Sequence, residues 1–397
     1  MIIKPRIKGF LCTTSHPVGC EADVKQQINH VRSKGELTNM PKRVLIIGAS
    51  GGYGLASRIS AAFGGQASTI GVFFERPAVK NRTASPGWYK SASFTKQATD
   101  AGLYAKNING DAFSQEVKEA TIALIKQDLG QIDLVVYSLA APARQLADGS
   151  VVRSALKPIG EPFEGKTIDI NSRELRTVSL EPASSEEIDD TVKVMGGEDW
   201  ENWISALADA DALADGCVTT NYTYLGSEVT WPIYYHGTIG KAKEDLDRAA
   251  KALSQPMAEI NGAAYVCVMK GLLTGASSAI PGMSIYLSLL FKAMKSAGTH
   301  EGCIEQTTRL YETQLFSSDK RMDDDGRIRM DDWELAEDIQ QYVRDNWDSV
   351  DADSLASLTD FDEYRRAFLQ LHGFDFPGVD YDAEVEPGVV MDLAHGD

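Results

Sequence analysis

Short unbroken apolar runs alternate with stretches of helical spacing along the first third of the chain. RVLII at 43–47 is followed by glycines and then by a helix-like stretch over 53–63. STIGVFF at 68–74, residues 103–108 and IDLVVY at 132–137 are further runs of strand length, and 113–129 carries helical spacing at Phe113, Val117, Ala120 and Leu124. Runs this short and apolar, separated by helices, are strands buried on both faces. They predict an α/β fold: a Rossmann-like, doubly wound parallel sheet with helices on both sides.

From 140 to 216 the alternation lapses. Pro142, Gly149, Pro158, Gly160, Pro162 and Gly165 make the start turn-rich, and acidic helical stretches follow around Glu186 and Trp200. This reads as a long insertion over the carboxyl end of the sheet, near the substrate, with a hairpin near Ile159-Gly160. The alternation resumes with a strand at 217–224, a helix over 237–253, a strand at 263–269 and an apolar helix from Met283. Residues 333–347 are amphipathic, with Leu335, Ile339, Tyr342 and Val343 on one face and Asp331 or Asp332 placed to cap it. With no internal repeat or low-complexity tract, 1–397 is expected to be one elaborated domain, the insertion at about 140–216 forming part of the substrate region.

Composition narrows the partners. The 397 residues are 43% hydrophobic and 24% charged, an ordinary globular mixture, with a formal net charge of −18. That surplus repels polyanions and argues against nucleic acid, while anionic cofactors remain open because local backbone dipoles hold them. The opening MIIKPRIKGF lacks the apolar region of a secretory signal. The most lipid-like stretch, MSIYLSLLF at 283–291, falls far short of the roughly 20 residues of a membrane span. Cysteines at 12, 20, 217, 267 and 303 are scattered and read as reduced thiols of a cytoplasmic protein.

Candidate chemistry starts at GASGGYG, 48–54, which follows a predicted strand and opens a predicted helix. Glycines at 48, 52 and 54 have the spacing used by short-chain dehydrogenases. Small residues let the backbone approach a pyrophosphate, and the helix N-terminus offers N–H donors. Glu75 lies about 20 residues beyond Gly54, where a carboxylate grips the ribose hydroxyls of NAD and repels a 2′-phosphate. This favours NADH, although Arg76 next door could instead accept that phosphate. Asp111-Ala112 and Leu139-Ala140 sit at strand carboxyl ends, where the adenine and nicotinamide ribose would lie.

The second cluster is NYTYLG at 221–226 and WPIYYHGTIGKAK at 231–243. A reductase needs a proton donor near the atom that gains charge and a lysine that lowers the donor's pKa and fixes the nicotinamide ribose. Tyr224 and Tyr234 stand ten apart, with lysines at 241 and 243. Ketoreductases of this class carry a serine about a dozen residues before the tyrosine; here 221 and 222 are Asn and Tyr. A second tyrosine ten residues upstream is instead the arrangement of enoyl reductases. On an ideal helix Lys241 would share a face with Tyr234 and Lys243 would point about 200° away from Lys241, but Gly237 can interrupt that helix, so both lysines stay open.

Together these stretches resemble the FabV-type enoyl-acyl-carrier-protein reductases and the related trans-2-enoyl-CoA reductases. The likeness runs from IIKPRIKGFLCTTSHPVGCE through GASGGYG, YSLAAP, WPIYYHGTIGKAK and ASSAIPGMSIYLSLLFKAM to RIRMDDWEL, nearly the whole chain. It implies a short-chain-dehydrogenase-like fold with a long insertion at the substrate site, a monomer, and NADH as reductant. By resemblance the proton donor is Tyr234, paired with Lys243, and Tyr224 binds substrate. The cofactor contacts it implies are Gly48, Ala49, Ser50, Gly51, Gly52, Tyr53, Phe74, Glu75, Asp111, Ala112, Leu139, Ala140, Lys243, Leu272, Leu273 and Thr274. Tyr235, where the family usually has tryptophan, is a departure that keeps an aromatic ring.

The expected reaction is hydride delivery to the β-carbon of a trans-2-enoyl thioester, carried by acyl carrier protein or coenzyme A, as the last reductive step of fatty-acid elongation. A carbonyl reductase or alcohol dehydrogenase on the same fold is opposed by the missing serine, and a non-catalytic NAD sensor by the intact tyrosine–lysine pair. Cys12, His16 and Cys20 are spaced as ligands on one helix face, but three ligands do not close a structural zinc site, and Pro17 argues against a regular helix there; no metal is expected. DDDG at 323–326 reads as a hairpin turn before RIRM at 327–330 rather than a calcium loop, and His236 as a residue at a helix start.

Overall fold

In a computed structural model, which describes residues 1–275 and 277–396, the alternating runs form one seven-stranded sheet. Its strands are β1 (Arg43–Ile47), β2 (Ser68–Phe73), β3 (Ala105–Asn109), β4 (Ile132–Tyr137), β5 (Leu213–Thr223), β6 (Ala263–Val268) and β7 (Ile328–Arg329), in the spatial order β3-β2-β1-β4-β5-β6-β7. Every pairing is parallel. Chain direction across the sheet reverses between β1 and β4, the switch point at which doubly wound sheets open a crevice for ligands. The expected α/β class is the observed one. Ala276, within the ASSAIPGM stretch, lies outside the described residues.

Val44, Leu45, Ile46 and Ile47 are all fully buried because helices cover both faces of β1. On one side lie α1 (Pro17–Lys34), α2 (Gly52–Ile59) and α3 (Pro86–Asp100), whose Val24, Ile28, Leu55, Ile59 and Phe94 share one apolar cluster. On the other side α4 (Gln115–Asp128), α6 (Glu198–Asp209) and α7 (Thr238–Glu259) bring Val117, Ile125, Trp200, Trp203 and Leu246 together. α5 (Ser185–Met195) packs on α7. A third cluster belongs to α8 (Met283–Ala297), α10 (Glu337–Trp347) and α11 (Phe361–Leu371), and includes Tyr234, Leu272 and Leu273. α9 (Cys303–Leu310) lies against α2.

Several local expectations change. Pro17 does not prevent a helix: it occupies the first turn of α1, where its missing N–H has no partner to lose, and His16 Nδ1 caps the helix by accepting from the Gly19 N–H at 3.2 Å. α2 continues into a wide π-helical turn, Ser60–Gly64. The hairpin expected near Ile159-Gly160 is two hairpins on either side of it, Ala143–Gln145 with Val151–Arg153 and Phe163–Ile168 with Leu175–Leu180. The second half of the presumed insertion is α6, the crossover helix that delivers β5, and β5 starts at Leu213 rather than 217. α10 starts at Glu337, because the Asp331 and Asp332 carboxylates are paired with Arg329 and Arg309 and cap nothing.

Both edges of the sheet are short or covered. β7 is two residues long. Along β3 runs the tail at 387–396: the Asn109 N–H donates to the His395 carbonyl at 2.9 Å and the Ala394 N–H to the Asn107 carbonyl at 2.8 Å. Trp88 and Tyr89 of α3 anchor the same tail through the Val389 and Pro387 carbonyls, each at 2.8 Å.

Candidate active site

Because all seven strands are parallel, their carboxyl ends and the residues that follow gather along one rim. After β1 comes the glycine turn. Gly48 has φ +88°, and a Cβ there would lie 2.0 Å from the Ser138 carbonyl; a Cβ on Gly54 would lie 2.0 Å from the Gly48 carbonyl. Only glycine permits this close passage of strand end, turn and helix. Gly51 is the N-cap of α2 and supplies no side-chain acceptor, so the first amides of α2 are left for an external anion. Ala49 is fully buried and Ser50 half-buried beside it. Tyr53 turns its hydroxyl inward, to the Lys270 carbonyl at 3.0 Å and Gln306 Oε1 at 2.6 Å, leaving its backbone for the cofactor. Thr274 lies over the turn, its Cγ2 3.6 Å from where a Gly52 Cβ would stand, and Leu272 and Leu273 are buried next to it.

Glu75 follows β2 and is held from two sides. Ser50 Oγ donates to Glu75 Oε1 at 2.7 Å, while the Glu75 N–H and carbonyl bond to the Asn109 side chain at 2.8 and 3.0 Å. Gly87 makes room for this carboxylate, since a Cβ there would fall 2.0 Å from Glu75 Oε1. Phe74 is 77% exposed, and the Arg76 side chain points to solvent. Asp111, Ala112, Leu139 and Ala140 occupy the rim after β3 and β4, as their positions in sequence require. The crevice therefore has backbone donors, a carboxylate held at its rim and closely packed glycines: it fits a dinucleotide.

At the other half of the rim, Tyr224 follows β5 and Tyr234 sits in the turn before α7. Their rings meet edge to face, centroids 4.9 Å apart. α7 begins at Thr238 with Gly237 as its N-cap, and a Cβ on Gly240 would lie 1.8 Å from the Tyr235 carbonyl. The helical phase thus starts after Tyr234. Lys241 is exposed and paired with Glu244 at 2.7 Å. Lys243 is half-buried and makes no ion pair or hydrogen bond among the described residues; burial draws its ammonium down to about 8, against the opposing pull of Asp247. The Tyr234 hydroxyl likewise has no protein partner among the described residues, and burial raises its pKa. His236 is exposed in the turn before α7.

Behind Tyr224 stand residues that the sequence reading did not single out. The Tyr224 hydroxyl donates to Glu334 Oε1 at 2.8 Å, the Tyr286 hydroxyl to the same oxygen at 2.5 Å, and the Gly271 N–H to Oε2 at 2.5 Å. Lys270 is buried nearby, donating to the Gly271 and Glu301 carbonyls at 3.2 Å each, and burial lowers it to about 8. Burial also lifts the Glu334 carboxyl, with Lys270 opposing. Glu334 lies more than a hundred positions from Tyr224, beyond the reach of local spacing; its only signal was membership of the RIRMDDWEL stretch.

A dinucleotide crevice beside tyrosine and lysine side chains that have no partner among the described residues defines an NAD-linked oxidoreductase of the short-chain-dehydrogenase type. Comparison with known proteins narrows the class. Residues 82–316 match the trans-2-enoyl-CoA reductase catalytic region, 2–80 the NAD(P)H binding domain of trans-2-enoyl-CoA reductase, and 322–385 an enoyl reductase FAD binding domain. An enoyl-[acyl-carrier-protein] reductase [NADH] of Edwardsiella ictaluri is 57% identical over 394 residues, covering 99% of both chains. The FabV enoyl-[acyl-carrier-protein] reductase [NADH] of Aeromonas salmonicida is 56% identical with the same coverage. Among solved structures, a Clostridium acetobutulicum trans-2-enoyl-CoA reductase in complex with NADH superposes with a TM-score of 0.96 at 42% identity, covering 99% of this chain and 100% of its own. A Treponema denticola trans-2-enoyl-CoA reductase in complex with NAD gives 0.93 at 46% identity, covering 99% of each chain. The chain belongs to this family of FabV-type enoyl-acyl-carrier-protein and trans-2-enoyl-CoA reductases.

The flavin named for 322–385 does not fit the residues there. Ile339, Val343, Phe361, Tyr364 and Phe368 are buried against α8. Gly326 closes the turn after Asp323, and Gly373 packs on the His16 carbonyl and Cys20. No strand, glycine turn and helix N-terminus follow one another among the described residues of this segment, so it offers no dinucleotide cradle, and flavin enters no step below. The described residues also contain no group of three or more metal-ligating side chains and no helix long and apolar enough to cross a membrane. All five cysteines are free.

Proposed function

We propose that this chain reduces the trans-2 double bond of enoyl thioesters with NADH, the last reductive step of fatty-acid elongation. The observation that carries the reading is the buried Tyr234 hydroxyl with no protein partner among the described residues, set edge to face against Tyr224 on the rim that also holds the glycine turn. NADH, when bound, supplies a hydride to the β-carbon. The Gly48–Tyr53 backbone would hold the pyrophosphate, Glu75 the adenosine ribose hydroxyls, and Lys243 the nicotinamide ribose. As electrons move onto the thioester oxygen, the Tyr234 O–H donates a hydrogen bond to it, and the charge of Lys243 favours that polarisation. The enolate then collapses to the saturated thioester by taking a proton from solvent water at its α-carbon.

Acyl carrier protein and coenzyme A are both read as carriers, since the relatives above are named for one and the superposed structures for the other. We read 1–397 as a single elaborated domain, because Glu334 of the C-terminal segment and Tyr224 of the sheet share one hydrogen bond, and the protein as a monomer acting in the cytoplasm. The test is loss of NADH absorbance with crotonyl and longer enoyl thioesters on both carriers, alongside a ketone. Turnover of the ketone but not of the thioesters would overturn the reading.

A further inference from the structure

Glu334 enters the site from the segment between β7 and α10, far along the chain from the tyrosines. It is fully buried, and three donors converge on it: Tyr224 and Tyr286 on one oxygen, the Gly271 N–H on the other. A carboxylate carries no hydrogens of its own and can satisfy all three; an amide would turn an N–H against at least one donor. Lys270, itself 2% exposed, is the cation that faces it. Glu301, the other carboxylate close by, is already paired with Arg309 at 2.7 Å. Gly271 immediately precedes the Leu272–Thr274 loop over the glycine turn, so one carboxylate ties the substrate tyrosine to the backbone that leads into the cofactor loop.

On the enoyl reductase reading, we propose that Glu334 is a positioning residue: it fixes the Tyr224 hydroxyl and the start of the 271–274 loop relative to each other, so that the thioester is presented to Tyr234 in one orientation. Tyr224's proton is committed to Glu334, which leaves Tyr234 as the hydroxyl free to donate to the thioester oxygen. The contact is charge-assisted and buried, the setting in which one hydrogen bond has its largest effect.

The test uses the full-length chain with NADH and crotonyl thioester. Glu334→Gln is expected to lower kcat/KM for the thioester about 10- to 100-fold while NADH binding, followed by fluorescence titration, changes less than about threefold, because the amide oxygen can still accept from Gly271. Adding Tyr224→Phe to Glu334→Gln should cost little more than either change alone, since both act through one contact. Tyr286→Phe, which leaves the Glu334–Tyr224 bond in place, should be mild. If Glu334→Gln fails to fold, Glu334→Asp, with the charge kept and the reach shortened, takes its place in the same cycle. Near-wild-type kcat/KM, losses that multiply across the double variant, or a Tyr286→Phe loss equal to that of Glu334→Gln would each overturn the role. A wild-type chain that oxidises no NADH with any enoyl thioester would overturn the enoyl reductase reading itself, and this role with it.

Discussion

The two halves of the rim are built differently. The nucleotide half is local and largely backbone: Gly48 to Gly54 with Glu75 fall within a few dozen residues, and their work rests on amides, close glycine packing and one carboxylate held by Ser50. The substrate half is assembled from side chains that the sequence scatters. Tyr224 follows β5, Tyr234 sits in the turn before α7, and Glu334, which holds the Tyr224 hydroxyl, comes from the approach to α10. A backbone site tolerates change in its surroundings as long as the turn survives. A side-chain site depends on each contributor's tip.

That contrast can be broken experimentally. Tyr234→Phe removes one hydroxyl and almost no volume, and kcat should fall about 10²- to 10⁴-fold with NADH affinity retained; stopped-flow and binding measurements on the same preparation separate the two. A variant with near-wild-type kcat would move the donor role to Tyr224 or Tyr235.

If one charge serves both halves, as proposed, Lys243→Met should lower kcat/KM about 10- to 100-fold and weaken NADH binding. Lys241→Met, which removes only an exposed pair with Glu244, should change either by less than about threefold. The reverse ranking would assign the ribose to Lys241. Burial holds Lys243 at about 8, so its charge is present below that pH and lost above it. The free enzyme's kcat/KM should therefore decline as pH rises through about 8. Lys270 titrates in the same range, so the part of the decline that disappears in Lys243→Met is the part owed to Lys243; an unchanged profile in that variant would remove it from the pH dependence.

The smallest effect expected is at Glu75. Glu75→Gln should narrow the NADH-over-NADPH preference about tenfold, the scale of one charge-assisted hydrogen bond, with kcat on NADH little altered. If wild type uses both cofactors equally, Arg76 and not Glu75 sets the choice.

How legible each half was follows from the same contrast. The strands of the nucleotide half stood out because burial on both faces leaves unbroken apolar runs, and the glycine turn because its spacing is short-range. The phase of α7 was not legible from helix arithmetic: Gly237 caps the helix after Tyr234, and Gly240 lets the turn fold back on the Tyr235 carbonyl. α1 was missed because Pro17 looked like a breaker where it is a starter. α10 was placed too early because the Asp331 and Asp332 carboxylates pair with arginines instead of capping. Glu334 could not be singled out, since nothing within ten residues reveals that its partners are two tyrosines on other elements.

The covered sheet edges have a consequence for how the protein behaves in company. An open sheet ends in two rows of unpaired amides and carbonyls, each able to recruit a strand from a neighbouring molecule. Here β7 is too short to template such an addition, and the tail along β3 takes the Asn109 amide and the Asn107 carbonyl for itself. Loosening that tail would uncover a five-residue strand whose Ala105, Asn107, Ile108 and Asn109 are otherwise buried, and chains would begin to adhere edge to edge while the distant tyrosine pair was still intact.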